Sequence, residues 1–250
     1  MESMKDKVAI ITGSTSGIGR EVALLFASRG IKVAAAGRDE GGGASLINEI
    51  QQKGGNAIFI KTDVSNAASV QALIKSAKEH FGGIDYAFNN AGIEGVLGPI
   101  ADMKEDAWDD VMNINLKGIW LCLKYEFPEI LLRGGGAIVN TSTNLTKLGL
   151  PGTSAYAASK AGVDALTQVA AIEYGKHGVR VNAINPGAVD TPMLQRIYSP
   201  DQMEQVKSSN PLNKIATPKD VAQIVLWLCS PMSNHVNGIS MLIDGGSTLL

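Results

Sequence analysis

Val8-Ala-Ile-Ile-Thr-Gly-Ser-Thr-Ser-Gly-Ile-Gly-Arg-Glu-Val-Ala23 is the stretch that decides the fold. Five residues suited to extended structure run into a glycine-rich turn, and an apolar-periodic stretch of helical length follows. The expected order is a strand over residues 8–12, a tight turn, and a helix over 19–29. The glycines are spaced G-x-x-x-G-x-G instead of the commoner G-x-G-x-x-G. In that position they let a pyrophosphate approach the amides at a helix N-terminus. Gly13, Gly17, Ile18 and Gly19, with Ser16 between them, are therefore candidates for holding a dinucleotide. An isolated glycine-rich βα turn would be unspecific. Its place directly after the first strand gives it weight.

Outward from this turn, short apolar runs alternate with amphipathic stretches. Further strands are expected at 32–36, 57–62, 85–89, 137–141, 180–184 and 240–243. Helices are expected at about 41–53, 66–81, 105–116, 117–133, 153–176 and 217–230. Strands apolar on both faces in repeated β-α-β order imply a parallel sheet with helices on both sides. That is an α/β, doubly wound, Rossmann-like architecture, whose ligands sit beyond the carboxyl ends of the strands.

With 45% hydrophobic and 18% charged residues, the chain has material for a large core. No linker divides it, so residues 1–250 are expected to form one catalytic domain. Residues of about 193–213, with Met193, Leu194, Ile197 and Met203 among polar neighbours, suggest a lid over a substrate. A net charge of −2 leaves no basic footprint for nucleic acid. Cys122 and Cys229 both lie in apolar runs and are expected to be buried free thiols. His80, His177 and His235 are scattered, so no metal site is expected. The mixed-charge start Met1-Glu-Ser-Met-Lys-Asp-Lys7 and the short apolar run after it suit neither a signal peptide nor a membrane span. A soluble cytoplasmic protein is the expectation.

Tyr156 and Lys160 stand four residues apart in Ser154-Ala-Tyr-Ala-Ala-Ser-Lys160, which places them on one face of a helix. A tyrosine with a pKa of about 10 lies roughly 4 kcal/mol from ionising at neutral pH. A cation about 4 Å away, at an effective dielectric near 20, supplies roughly 4 kcal/mol. The spacing could therefore poise the phenol near neutrality for acid/base work.

Taken together, Thr12-Gly-x-x-x-Gly-Ile-Gly19, Asn89-Asn-Ala-Gly92, Asn115, Tyr156-x-x-x-Lys160 and Pro186-Gly187 resemble the short-chain dehydrogenase/reductase family. The resemblance runs from Lys7 to Gly246 with the motifs in register. It implies reversible oxidation of a secondary alcohol to a ketone, with hydride transfer on the pro-S face of a nicotinamide. By the same resemblance Tyr156 is the general acid or base, and Lys160 assists it and holds the nicotinamide ribose. Asn115, matched through Asn-x-x-Gly118, kinks a helix and holds a water that relays protons to the lysine, which Asn113 would not. Asn90, Ala91 and Gly92 lie along the cofactor, and Asp63-Val64 meet the adenine. Pro186, Gly187, Val189 and Thr191 close over the nicotinamide. The carbonyl-orienting hydroxyl falls, by the family's spacing, on Thr143 instead of the usual serine. Ser142 is the neighbouring alternative, and adjacent strand residues face opposite ways. Glu94 and Leu150 are further candidates for the substrate pocket.

The second strand ends Val33-Ala-Ala-Ala-Gly-Arg-Asp39. Gly37 stands where an acidic residue would chelate the ribose of NAD, and Arg38 can pair with a 2′-phosphate. NADP is favoured over NAD, although Asp39 and Glu40 are close by. The apolar surplus on the helices at about 105–133 and 153–176 and the C-terminal strand suggest a homotetramer, as in many family members. The partner is otherwise a small-molecule alcohol or ketone, with no nucleic acid and no membrane. Two other functions stay open: a non-catalytic dinucleotide-binding or redox-sensing module, and a 3-oxoacyl thioester ketoreductase with Lys147 and Arg196 at the pocket mouth.

Overall fold

Seven strands pair side by side in the order β3-β2-β1-β4-β5-β6-β7, and every pairing is parallel. They are β1 (Val8–Thr12), β2 (Lys32–Gly37), β3 (Ala57–Lys61), β4 (Tyr86–Asn89), β5 (Gly136–Thr141), β6 (Val179–Pro186) and β7 (Ser240–Ile243). The computed structural model describes residues 4–250, so the first three residues of the N-terminal stretch lie outside it. The expected α/β, doubly wound sheet is what forms.

Period-2 alternation sorts the central strand residues to two cores. Ala9, Ile11, Val33, Ala35, Phe88 and Val139 face one side. There they meet Phe26 of α1 (Gly17–Ser28), Leu46 of α2 (Glu40–Gln52) and Leu226 of α9 (Pro218–Cys229). Ile10, Ala34, Ala87 and Ile138 face the other side. Their neighbours come from α3 (Ala67–Phe81), α5 (Gly118–Leu132) and α6 (Ser154–Gly175), through Leu73, Ile119 and Val163. Each fully buried large side chain of this kind contributes about 1.5–3 kcal/mol.

The expected pair of helices over 105–133 is three elements. α4 (Glu105–Val111) passes through a π-helical stretch, Met112–Lys117, into α5. The region expected to form a lid holds two helices, α7 (Pro192–Ile197) and α8 (Pro200–Ser209), each started by proline at its first turn. Much of the apolar surplus assigned to a partner is in fact core: Val111, Ile119, Leu121, Leu123 and Val163 are buried. Trp120, Val169 and Ile172 stay outside, at 44%, 52% and 81% exposure. Cys122 and Cys229 are buried and unpaired. Among the described residues, no helix is long and apolar enough to cross a membrane.

Candidate active site

Strand order reverses between β1 and β4, and the crevice beyond their carboxyl ends is where the glycine turn emerges. Thr12 closes β1, and its Oγ1 accepts the amides of Asn90 (3.0 Å) and Ala91 (3.1 Å). In return Asn90 Nδ2 donates to the carbonyls of Thr12 and Gly13, each at 3.3 Å. The two turns are thereby clamped together. Gly13 has φ +64°, and a Cβ there would lie 2.9 Å from Ala91 Cα. A Cβ on Gly19 would collide with the Gly13 carbonyl. Ser16 caps α1 without a side-chain hydrogen bond, and the first turn has no acidic residue. Its amides are left for an anion, which fits the pyrophosphate of a dinucleotide.

Next to this cradle, Arg38 and Asp63 line the same crevice. Asp63 accepts from the amide (3.0 Å) and hydroxyl (2.7 Å) of Ser65. These bonds, aided by Arg38, hold its carboxyl below the usual range. The two acidic residues that argued against NADP are occupied. Asp39 caps α2 through Gly42 N (3.1 Å), and Glu40 pairs with Lys61 at 2.5 Å.

Deeper in, the π-helical stretch points Asn115 inward, where it is fully buried. Its Oδ1 accepts Ile93 N (2.8 Å) and its Nδ2 donates to Ile93 O (2.9 Å) and Ser159 Oγ (3.3 Å). A Cβ added to Gly92 would sit 3.1 Å from Asn115 Oδ1 and 3.5 Å from Lys160 Nζ, so the three residues converge.

Tyr156 and Lys160 share one face of α6, as their spacing demands, with the ammonium 5.9 Å from the ring centroid. The phenol is not poised near neutrality, however. Burial pushes Tyr156 up to about 12, with the Thr143 hydroxyl pulling it down and the Glu94 carboxylate adding to the rise. Lys160 donates to Thr141 O at 2.7 Å, so its charge is directed at β5. Burial lowers Lys160 to about 8, opposed by the Asp164 carboxylate. Ser142 and Thr143 both follow the end of β5 and both line the cavity, but their hydroxyls make different contacts. Ser142 Oγ donates to Lys160 O at 3.1 Å, whereas the Thr143 hydroxyl stands beside the phenol.

A cavity of about 880 Å³ runs through these groups. Gly13, Ser16, Gly17, Ile18, Arg38, Asp63, Val64, Asn90, Ala91, Gly92, Thr143, Tyr156, Lys160, Pro186, Gly187, Val189 and Thr191 all line it. Gly19 lies under the turn, and Asn115 lies behind the wall at Ile93.

A family model described as enoyl-(acyl carrier protein) reductase matches residues 13–248. The short chain dehydrogenase/reductase astE of Aspergillus oryzae is 40% identical over 254 residues, covering 99% of this chain and 97% of that protein. The chain belongs to the short-chain dehydrogenase/reductase family. Cyclohexanol dehydrogenase of an Acinetobacter species is 36% identical, over 97% of this chain and 95% of that protein. The crystal structure of levodione reductase superposes with a TM-score of 0.95 at 33% identity, over 98% of this chain and 99% of that one.

Within this family frame, two contributors escaped the sequence reading, Thr12 and Ser159, whereas Arg196 and Glu94 were expected near the pocket but not as a pair. Thr12 acts through a hydroxyl at a strand end, which composition does not distinguish from any other threonine. Ser159 donates to Tyr156 O at 2.7 Å and accepts from Asn115, joining two motif residues. Arg196 of α7 makes a two-pronged pair with Glu94 (2.9 and 3.3 Å) across the cavity mouth. Only the fold brings those two together.

Proposed function

We propose that Tyr156 is the general acid and base of this chain's NAD(P)-dependent interconversion of a secondary alcohol and a ketone. The observation that carries this reading is the convergence of Tyr156, Thr143 and Lys160 in one cavity with the glycine cradle. Relatives named as dehydrogenases of cyclohexanol, of cis-4-hydroxycyclohexanecarboxylate and of 3β-hydroxysteroids support the alcohol chemistry. When bound, the nicotinamide supplies or takes the hydride. Thr143 orients the carbonyl oxygen, and Tyr156 gives that oxygen its proton in reduction or removes it in oxidation. Lys160 supports the proton transfer and the ribose, and Asn115 holds the route by which the proton is replaced.

In this reading NADP is the preferred cofactor. Gly37 leaves the 2′ position uncontested, Arg38 offers a fork for the phosphate, and the neighbouring carboxylates are engaged elsewhere. Helices α7 and α8 serve as the lid. Arg196 is committed to Glu94, which weakens the case for a basic mouth that would take an acyl carrier. The assembly is a homotetramer, with Trp120, Val169 and Ile172 in one seam and β7 in the other.

A panel of cyclic and linear secondary alcohols and ketones, assayed with NADPH and NADH, tests the reading. Turnover that disappears in Tyr156→Phe supports it. Equal turnover in that variant overturns the acid/base role, and a wild-type preference for NADH overturns the cofactor choice.

A further inference from the structure

Glu126 sits in the middle of α5 with none of its surface exposed. Its Oε2 accepts a hydrogen bond from Asn89 Nδ2 at 3.0 Å. Its other oxygen, Oε1, is buried without any partner, and so is Asn89 Oδ1. Two side chains are thus joined through one atom each, while the remaining atom of each is an acceptor with nothing to accept. A single proton on Oε1 would serve both.

No other group answers the need. From β5, Asn140 Oδ1 takes the second Asn89 hydrogen bond (3.1 Å), and Asn140 Nδ2 donates to Thr167 Oγ1 of α6 (3.0 Å). Along α5 itself, the nearby titratable group is Cys122, a buried thiol that burial pushes up. No cation among the described residues pairs with Glu126. A lone buried carboxylate is strongly unfavourable, and the usual escape is to take up a proton.

We propose that Glu126 is a neutral carboxylic acid whose proton, carried on Oε1, bonds Asn89 Oδ1 and closes a two-hydrogen-bond ring. The ring holds the end of β4 against α5. Asn89 directly precedes the Asn90–Gly92 turn, and through Asn140 and Thr167 the same network reaches the helix that carries Tyr156 and Lys160. Glu126 is therefore a positioning residue for the cofactor side of the site. The direction of its titration agrees: burial raises Glu126 to about 7, with the Asn89 hydrogen bond pulling the other way. A carboxyl raised in the folded state contributes stability that is full below its unfolded value, 4.5, and is lost as pH rises through about 7.

The decisive measurement is an infrared difference spectrum of the full-length protein against Glu126→Gln, taken below pH 7. A protonated-carboxyl carbonyl band present in the wild type and missing from the variant is the expected result. If the band is absent, the proposal fails. In Glu126→Gln the amide supplies the second donor permanently. Its melting temperature should therefore lack the wild-type decline between pH 4.5 and 7. Superimposable pH profiles would also overturn the idea. Cofactor affinity should be kept in Glu126→Gln and fall about tenfold in Glu126→Leu, which strands Asn89. If Glu126→Leu does not fold, the spectrum and the pH profiles decide alone. Neither involves turnover, so they stand apart from the catalytic reading.

Discussion

Burial keeps the Tyr156 phenol protonated at neutral pH, which suits it to donate to a developing alkoxide. Replacement by Phe removes the donor and little packing. We expect kcat to fall by about 10² or more while cofactor affinity, read by fluorescence titration, stays within about threefold. Thr143 and Ser142 make opposite predictions. Thr143→Ala should lower kcat/KM with the melting temperature nearly unchanged. Ser142→Ala loses the bond to Lys160 O and should lower the melting temperature first. The reverse pattern would move the substrate hydroxyl to Ser142. Lys160 exposes the trade between function and stability. Its pKa is lowered to about 8 from 10.5, so the unfolded chain binds more protons between those values, and stability there rises with pH. Below that window the buried ammonium costs about 3 kcal/mol, since each pH unit between the two values is worth about 1.4 kcal/mol. Lys160→Met forfeits one hydrogen bond, worth about 1 kcal/mol. The inactive variant should therefore melt higher than the wild type at pH 7, and a lower melting temperature would refute the cost assigned to the ammonium.

Elements divide into those whose signal is local and those whose signal is not. The strand–glycine–helix unit was legible because each residue type is required where it stands: Gly13 by its φ, Gly19 by contact with Gly13. The Tyr156–Lys160 pair was legible because helical periodicity alone places it. The π-helical stretch was not legible from the residues, although the resemblance implied a helix kinked at Asn115. Within it Asn115 bonds Ile93, a contact between segments distant in sequence. The phenol's poise was misjudged for a related reason. Four-residue spacing fixes a face but leaves open where the ammonium points, and Thr141 claims it. At the end of β2, Arg38→Leu combined with Gly37→Asp should raise KM for NADPH and favour NADH. The new side chain must also displace Thr15, whose Cγ2 would lie 3.1 Å from the Gly37 Cβ. Steady-state kinetics with both cofactors reads this out, and an unchanged preference would remove Arg38 from the site. On α7, the Arg196–Glu94 pair is partly exposed. Such pairs contribute about 0.2–1 kcal/mol, so Arg196→Met should change KM by no more than about fivefold and should flatten its salt dependence.

For the whole molecule, the parallel sheet and the helices on both its faces followed from the β-α-β alternation, whereas the strand order and the surface did not. A linear pattern cannot separate Ile119, which is core, from Trp120, which is exposed. Fewer of the expected residues on α5 and α6 are exposed than the pattern suggested, but the exposed set holds a tryptophan and four aliphatic residues, Leu131, Leu132, Val169 and Ile172, of the kind that interfaces bury. Light scattering should give four times the 26.2 kDa chain mass. A monomeric mass would refute both seams, and a dimeric one would leave the α5–α6 seam alone. The sheet order also bears on how the chain is made. β1 lies between β2 and β4, so its second edge finds no partner until residues 86–89 have been synthesised. Until then a nascent chain carries a half-built sheet with an open strand edge and apolar faces awaiting α5 and α9. Truncated products ending before β4 should therefore be the species that clump and engage chaperones, and the finished protein should not. A fragment of residues 1–83 that stayed monomeric and soluble would contradict this.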